Sequence, residues 1–89
     1  MRKLTILTPT YNRGGGIQKL YASLEAQNEK DFEWLIVDDG STDETAHVVR
    51  KMRETAMFPI RYIYKENGGK HTALNVGIKA IESELTFIV

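Results

Sequence analysis

Two adjacent aspartates, Asp38 and Asp39, follow the apolar run Trp34-Leu35-Ile36-Val37 and precede Gly40 and Ser41. Asp39-Gly40 reads as a turn and Ser41 as a helix N-cap. Neither duty accounts for Asp38, which leaves a buried strand directly. An acid at a strand's carboxyl end can accept a hydrogen bond from a base N–H or a ribose hydroxyl. A second group of candidates is Pro9, Thr10 and Tyr11. Pro9 fixes φ and stiffens the exit from the first strand, and Tyr11 offers an aromatic face on which a base can stack. The plainer reading is that Tyr11 covers the upper rim of the core. A third group is Gly68-Gly69-Lys70. Lys70 stands at a helix start, where a cation is unfavourable against the macrodipole but can share a phosphate with free N–H groups. Arg13 is expected to be solvated.

Other chemistries are missing. With no cysteine there is no disulfide, thiolate zinc site or cysteine nucleophile. His47 and His71 are too far apart to form a local metal pair, and Ser23, Ser41 and Ser83 lie outside any G-x-S-x-G. A Walker A loop fails at Tyr64 and His71. The dinucleotide fingerprint begins at Gly14 and Gly16 but ends on Lys19. Twelve Lys+Arg offset 12 Asp+Glu, which removes the electrostatic footprint of a nucleic-acid binder and any polybasic membrane patch. After Met1-Arg2-Lys3 the apolar run spans only Leu4 to Leu7, short of the roughly 7–15 residues of a secretory signal. These features predict the cytoplasm.

Eighty-nine residues suffice for one small domain, and the elements that must position these candidates follow from periodicity. Leu4 to Thr8, Trp34 to Val37, Ile60 to Tyr64 and Leu85 to Val89 read as strands. The charge at Arg61 places the third near a sheet edge. Between them, Ile17, Leu20, Tyr21 and Leu24 mark one helix face. Ala46, Val49, Met52 and Met57 or Ala56 mark a second helix face, and Leu74, Gly77, Ile78 and Ile81 a third. Ser41 and Glu44 have capping-box spacing. Gly14-Gly15-Gly16 reads as a chain break, so that six of seven glycines fall in loops. The alternation predicts an α/β fold, a three-layer parallel sheet of about four strands of Rossmann-like type. In such a sheet ligands bind outside the strands' carboxyl ends, which is where Pro9 to Gly16, Asp38 to Ser41 and Lys65 to Lys70 fall.

Thr8-Pro9-Thr10-Tyr11-Asn12-Arg13, Val37-Asp38-Asp39-Gly40-Ser41-Thr42-Asp43, and Asn67-Gly68-Gly69-Lys70 with Ala73, Leu74, Asn75 and Gly77 together resemble the family 2 glycosyltransferases. The resemblance covers essentially the whole chain and implies the nucleotide-binding half of a GT-A fold that takes a nucleoside diphosphate sugar. It implies that Pro9, Thr10 and Tyr11 line the nucleoside pocket and that Asp39 hydrogen-bonds the base, usually uracil. Asp38 then supports the loop, Gly69 and Lys70 lie near the ribose and diphosphate, and Asn75 belongs to the helix behind. It further implies inverting transfer to an acceptor hydroxyl with Mg²⁺ or Mn²⁺ held by an Asp-x-Asp motif. That motif, the catalytic base and the acceptor half are expected beyond Val89, so these residues alone are expected to hold no metal and to be inactive. Membrane attachment of a full-length enzyme stays open. The alternatives are a nicotinamide-dinucleotide domain and a non-catalytic assembly module that self-associates through the last strand.

Overall fold

The computed structural model describes residues 4–28, 30–81 and 85–89. In chain order they form β1 (Leu4–Thr10), α1 (Gly14–Glu25), β2 (Phe32–Asp38), α2 (Thr45–Thr55), β3 (Ile60–Tyr64), α3 (Lys70–Ala80) and β4 (Leu85–Ile88). The sheet order is β3-β2-β1-β4 and all three pairings are parallel. Parallel neighbours need crossovers, and the three helices supply them. The chain steps from β1 outward through β2 to β3, then returns past β1 to β4. The order therefore reverses between β1 and β4, which opens a crevice at their carboxyl ends.

Strand alternation divides the core into two layers. Ile6, Trp34 and Ile36 point to the face covered by α1 and α2, where they join Ile17, Leu24, Val48, Val49, Met52 and Phe58. Leu7, Leu35 and Val37 point the other way and pack on Ala73 of α3. The first layer carries the aromatic rings: Tyr21 stacks on Trp34 with centroids 6.4 Å apart, and Phe32 meets Phe58 at 4.8 Å. Trp34 is fully buried, and its indole N–H donates to Thr8 Oγ1 at 2.9 Å, so no polar atom of the ring is stranded. The second layer is thinner. Its helix approaches closely because Gly77 has no side chain: a Cβ there would lie 2.4 Å from Leu7 Cδ1 and 3.2 Å from Val37 Cγ2.

β3 is the edge expected from Arg61, whose Nη1 donates to Glu33 Oε1 at 3.1 Å and to the Ala80 carbonyl at 2.9 Å. Several local expectations fail, each for a tertiary reason. The three glycines are the first turn of α1 rather than a break. Gly14 is buried there, and a Cβ would stand 2.8 Å from Glu44 Oε1, the movable end of an exposed side chain. Ser41 and Glu44 form no capping box, since α2 starts later, at Thr45, and Ser41 is engaged elsewhere. Asp43 does the capping instead, its Oδ1 accepting from both the Thr45 N–H and the Thr45 hydroxyl. Ala46 and Met57 are exposed, and Val48 and Phe58 take the inward places. Ile78 is 56% exposed because α3 turns the Ala73–Gly77 side to the sheet. Among the described residues no helix is long and apolar enough to cross a membrane.

Candidate functional site

The three loops at the carboxyl ends of β1, β2 and β3 are sewn together by hydrogen bonds between residues far apart in sequence. Asn12 is the first stitch. It adopts φ +49, a left-handed conformation that asparagine tolerates better than most residues. From there its N–H donates to Ser41 Oγ at 2.7 Å, and its Oδ1 accepts from the Thr42 and Asp43 N–H groups at 2.8 and 3.2 Å. The Asp39 N–H donates to the Thr10 carbonyl, and the Lys65 N–H to the Asp38 carbonyl, extending the ladder past the strand ends. Gly40, at φ +83, lets the second loop close on the third: a Cβ there would stand 2.8 Å from the Asn67 nitrogen.

The two aspartates part company here. Asp38 is fully buried, its Oδ1 accepting from the Ser41 N–H at 2.8 Å and its Oδ2 from the Tyr62 hydroxyl. It therefore does have a turn duty, contrary to the reading that it had none. Burial, reinforced by the bond to the Asp38 carboxylate, pushes the Tyr62 phenol above its ordinary pKa. The tyrosine stays a neutral donor at any physiological pH. Asp39 reaches across to the third loop. Its Oδ1 accepts from Lys65 Nζ at 2.6 Å and the Gly68 N–H at 2.9 Å, and its Oδ2 from the Gly69 N–H at 2.8 Å. The Lys65 ammonium, then the two backbone N–H groups, hold its carboxyl below the usual aspartate range against an opposing effect of burial. Asn67 Nδ2 adds a bond to the Asp39 carbonyl at 3.0 Å.

Above these loops lies a cleft of about 680 Å³, set at the β1/β4 reversal. Six of the seven sequence-derived candidates line it: Pro9, Thr10, Tyr11, Asp39, Gly69 and Lys70. Asp38 does not; it lies beneath, supporting the loop. Thr10 is only 5% exposed, and its Oγ1 has no hydrogen-bond partner. An unsatisfied buried hydroxyl is uncommon and costs roughly 1–3 kcal/mol. Tyr11 is 47% exposed at the mouth, free to stack. The floor is apolar, from Ile17 and Leu20 on one side and Ala73 and Ile88 on the other.

Four contributors went unassigned in the sequence. Arg13, exposed as expected, also lines the cleft. Lys65 and Thr72 brace Asp39, and Asn67 both braces it and lines the cleft. Lys65 and Asn67 fall in a segment that the topology placed on the right edge, but no spacing rule names a partner 26 residues away. His47 and His71 are exposed on α2 and α3. Among the described residues no three histidine or acidic side chains gather as metal ligands.

A parallel α/β sheet with a polar-rimmed cleft at its strand reversal is a Rossmann-like architecture. The chain belongs to glycosyl transferase family 2, whose sequence pattern matches residues 5–89. It is 34% identical over 91 residues to the poly(ribitol-phosphate) β-N-acetylglucosaminyltransferase TarS of Staphylococcus aureus, an alignment covering 100% of this chain and 16% of TarS. The crystal structure of S. aureus TarS superposes with a TM-score of 0.87 at 35% identity, over 98% of this chain and 16% of that one. TarS residues 1–349 have been solved in complex with UDP-GlcNAc. A mannosyltransferase from Pyrobaculum calidifontis, solved with GDP-Man and Mn²⁺, gives a TM-score of 0.78 at 27% identity, over 91% of this chain and 25% of that one. The fold is thus that of GT-A glycosyltransferase domains, and the chain spans a small part of these relatives' length.

Proposed function

We propose that this chain holds the nucleoside diphosphate of a UDP-sugar, as the donor-binding part of an inverting glycosyltransferase. The observation that carries the reading is the cleft at the strand reversal, whose wall brings Tyr11, Asp39, Gly69 and Lys70 together from three loops. Tyr11 stacks on the base and Asp39 accepts its N–H. Thr10 and Pro9 form the wall behind the nucleoside, and Pro9 keeps that wall rigid. Gly69 lets the backbone approach the ribose, and Lys70, exposed at the start of α3, pairs with the diphosphate beside the helix N-terminus. Asp38 serves from below, through Ser41 and Tyr62. Support also comes from family membership and from TarS, a relative solved with UDP-GlcNAc.

The reaction so proposed is a displacement at the anomeric carbon. An acceptor hydroxyl attacks, its proton passing to a carboxylate base, and the bond from the anomeric carbon to the diphosphate breaks. The electron pair leaves on UDP and the configuration inverts. A divalent ion would offset charge on the departing diphosphate. The described residues do not gather a ligand set for one.

An amide-resolved NMR titration with UDP, with NAD as control, tests the reading. Shifts confined to Thr10, Tyr11, Asp39 and Gly40 with UDP alone are expected. A dispersed spectrum indifferent to UDP, or one responding more strongly to NAD, rejects it. We also propose that two copies associate through β4, because Phe87 and Ile88 are 61% and 56% exposed on a strand at the sheet edge. Light scattering that returns the mass of one chain at high micromolar concentration rejects that.

A further inference from the structure

We infer that Lys65 determines which base the cleft accepts, by leaving Asp39 room for a single incoming donor and so favouring uracil over guanine. The inference rests on the reading that the cleft takes a nucleoside diphosphate.

The argument is a count of donors and lone pairs. The Lys65 ammonium has three N–H donors, and all are spent: on Asp39 Oδ1 at 2.6 Å, the Glu66 carbonyl at 2.6 Å and Thr72 Oγ1 at 2.9 Å. The Thr72 hydroxyl donates in turn to the Gly69 carbonyl at 2.7 Å, so it cannot turn away from the lysine without losing a bond. With its side chain 18% exposed, Lys65 has little water to fall back on. It is a fixed partner of Asp39 rather than a wandering surface cation.

A carboxylate offers about four acceptor positions, two on each oxygen. On Asp39, Oδ1 has both filled, by Lys65 and the Gly68 N–H, and Oδ2 has one filled, by the Gly69 N–H. Among the described residues nothing else reaches the carboxylate, so one position remains, on Oδ2. Asp39 lines the cleft, and that position is what an incoming base meets. Uracil presents one imide N–H between two carbonyls, which matches a single acceptor. Guanine presents two parallel N–H donors, from its ring nitrogen and its amino group, and these need both oxygens of one carboxylate. With Oδ1 closed, guanine would bury an unpaired N–H. A polar group left unpaired by the wrong ligand is a strong source of discrimination.

The shared fold alone does not make this choice. One protein of this architecture has been solved with GDP-Man and another with UDP-GlcNAc. The selection must lie in side chains at the rim, and Lys65 acts there through Asp39 as a positioning residue.

The test is the ratio of UDP to GDP affinity, measured by calorimetry on the whole chain and on Lys65→Met, Lys65→Arg and Thr72→Val. The unsubstituted chain is expected to favour UDP by about tenfold or more, the value of one well-made hydrogen bond. Lys65→Met is expected to reduce that ratio by about tenfold, because Oδ1 gains a free position. Lys65→Arg, which can still close Oδ1, is expected to retain most of the preference. Equal weakening of both ligands in Lys65→Met, with the ratio unchanged, overturns the inference and leaves Lys65 as a loop brace only. Should Lys65→Met not give a dispersed amide spectrum, Thr72→Val decides: a lowered ratio supports the inference and an unchanged one overturns it. If the unsubstituted chain binds both equally, the inference fails while nucleotide binding stands. If it binds neither, the nucleotide reading fails and takes the inference with it.

Discussion

The two faces of the sheet are built by different means. On the α1/α2 face, β1, β2 and two helices enclose a layer of large side chains with Trp34 at its centre, stacked on Tyr21 and hydrogen-bonded to Thr8. On the other face a single helix covers Leu7, Leu35 and Val37, and it does so by omission, bringing its backbone down at Ala73 and Gly77. The first face is stabilised by volume, and the second by closeness of approach. The difference shows at the surface too, since Ile78, Phe87 and Ile88 stay exposed on α3 and β4. The cleft draws on both: Ile17 and Leu20 come from the filled side, and Gly69, Lys70 and Ala73 from the close-packed one.

That contrast can be broken by substitutions of opposite kind. Trp34→Ala empties the filled face and strands the Thr8 hydroxyl, so a loss of about 3–5 kcal/mol is expected in urea unfolding. A loss below about 1 kcal/mol would mean that this layer is not the load the packing implies. Gly77→Ala does the reverse on the close face, adding a methyl where Leu7 Cδ1 already stands. Overpacking of about 1–3 kcal/mol is partly offset by about 1 kcal/mol of helix propensity, for a net loss of about 1 kcal/mol. Stabilisation instead would show that Leu7 can swing aside and that the approach is loose.

The rim differs from both faces in being held by charge, and pH separates it from them. Asp39 titrates below the usual aspartate value of 3.8, chiefly because of the Lys65 bond and then the Gly68 and Gly69 N–H groups. A depressed folded-state pKa means that the stabilisation is complete above the unfolded value and is lost as pH falls through the folded one. The amide shifts of Gly68 and Gly69 should therefore hold steady from pH 7 to about 4.5 and move only in stronger acid. Movement between pH 7 and 5 would contradict the pairing. The smallest effect is expected from Ile78→Ser on the exposed side of α3, within about 0.5 kcal/mol of the unsubstituted chain. A larger loss at concentrations where the chain is monomeric would show that this side is packed after all.

Much of the fold was legible because its signals are local. Apolar runs and i, i+3, i+4 spacing marked every strand and helix, and the charge at Arg61 marked the edge. The helix boundaries were not, and the reason is physical. Three glycines look like a break by propensity, yet they form the first turn of α1, with Gly14 buried beside the Glu44 side chain. Ser41 has cap spacing, yet its hydroxyl accepts the Asn12 N–H, 29 residues away in sequence, and its own N–H goes to Asp38. A side chain can serve only one such geometry, and tertiary contact chooses which.

The site divides along the same line. The sequence by itself determined which segments meet at the carboxyl edge, because a parallel α/β order leaves only those loops there, and it supplied Pro9, Thr10, Tyr11, Asp39, Gly69 and Lys70 to the cleft wall. Residue types and spacing did not separate the neighbouring aspartates; the family resemblance did, and only the tertiary structure supplied the physical reason. Strand alternation and the turn at Gly40 send Asp38 down to Ser41 and Tyr62 and Asp39 across to Lys65, Gly68 and Gly69. Those partners lie 24 to 30 residues away, except for the Ser41 bond. A hydrogen bond depends on position within tenths of an ångström, and residues that far apart acquire such positions only when the sheet has brought their strands side by side.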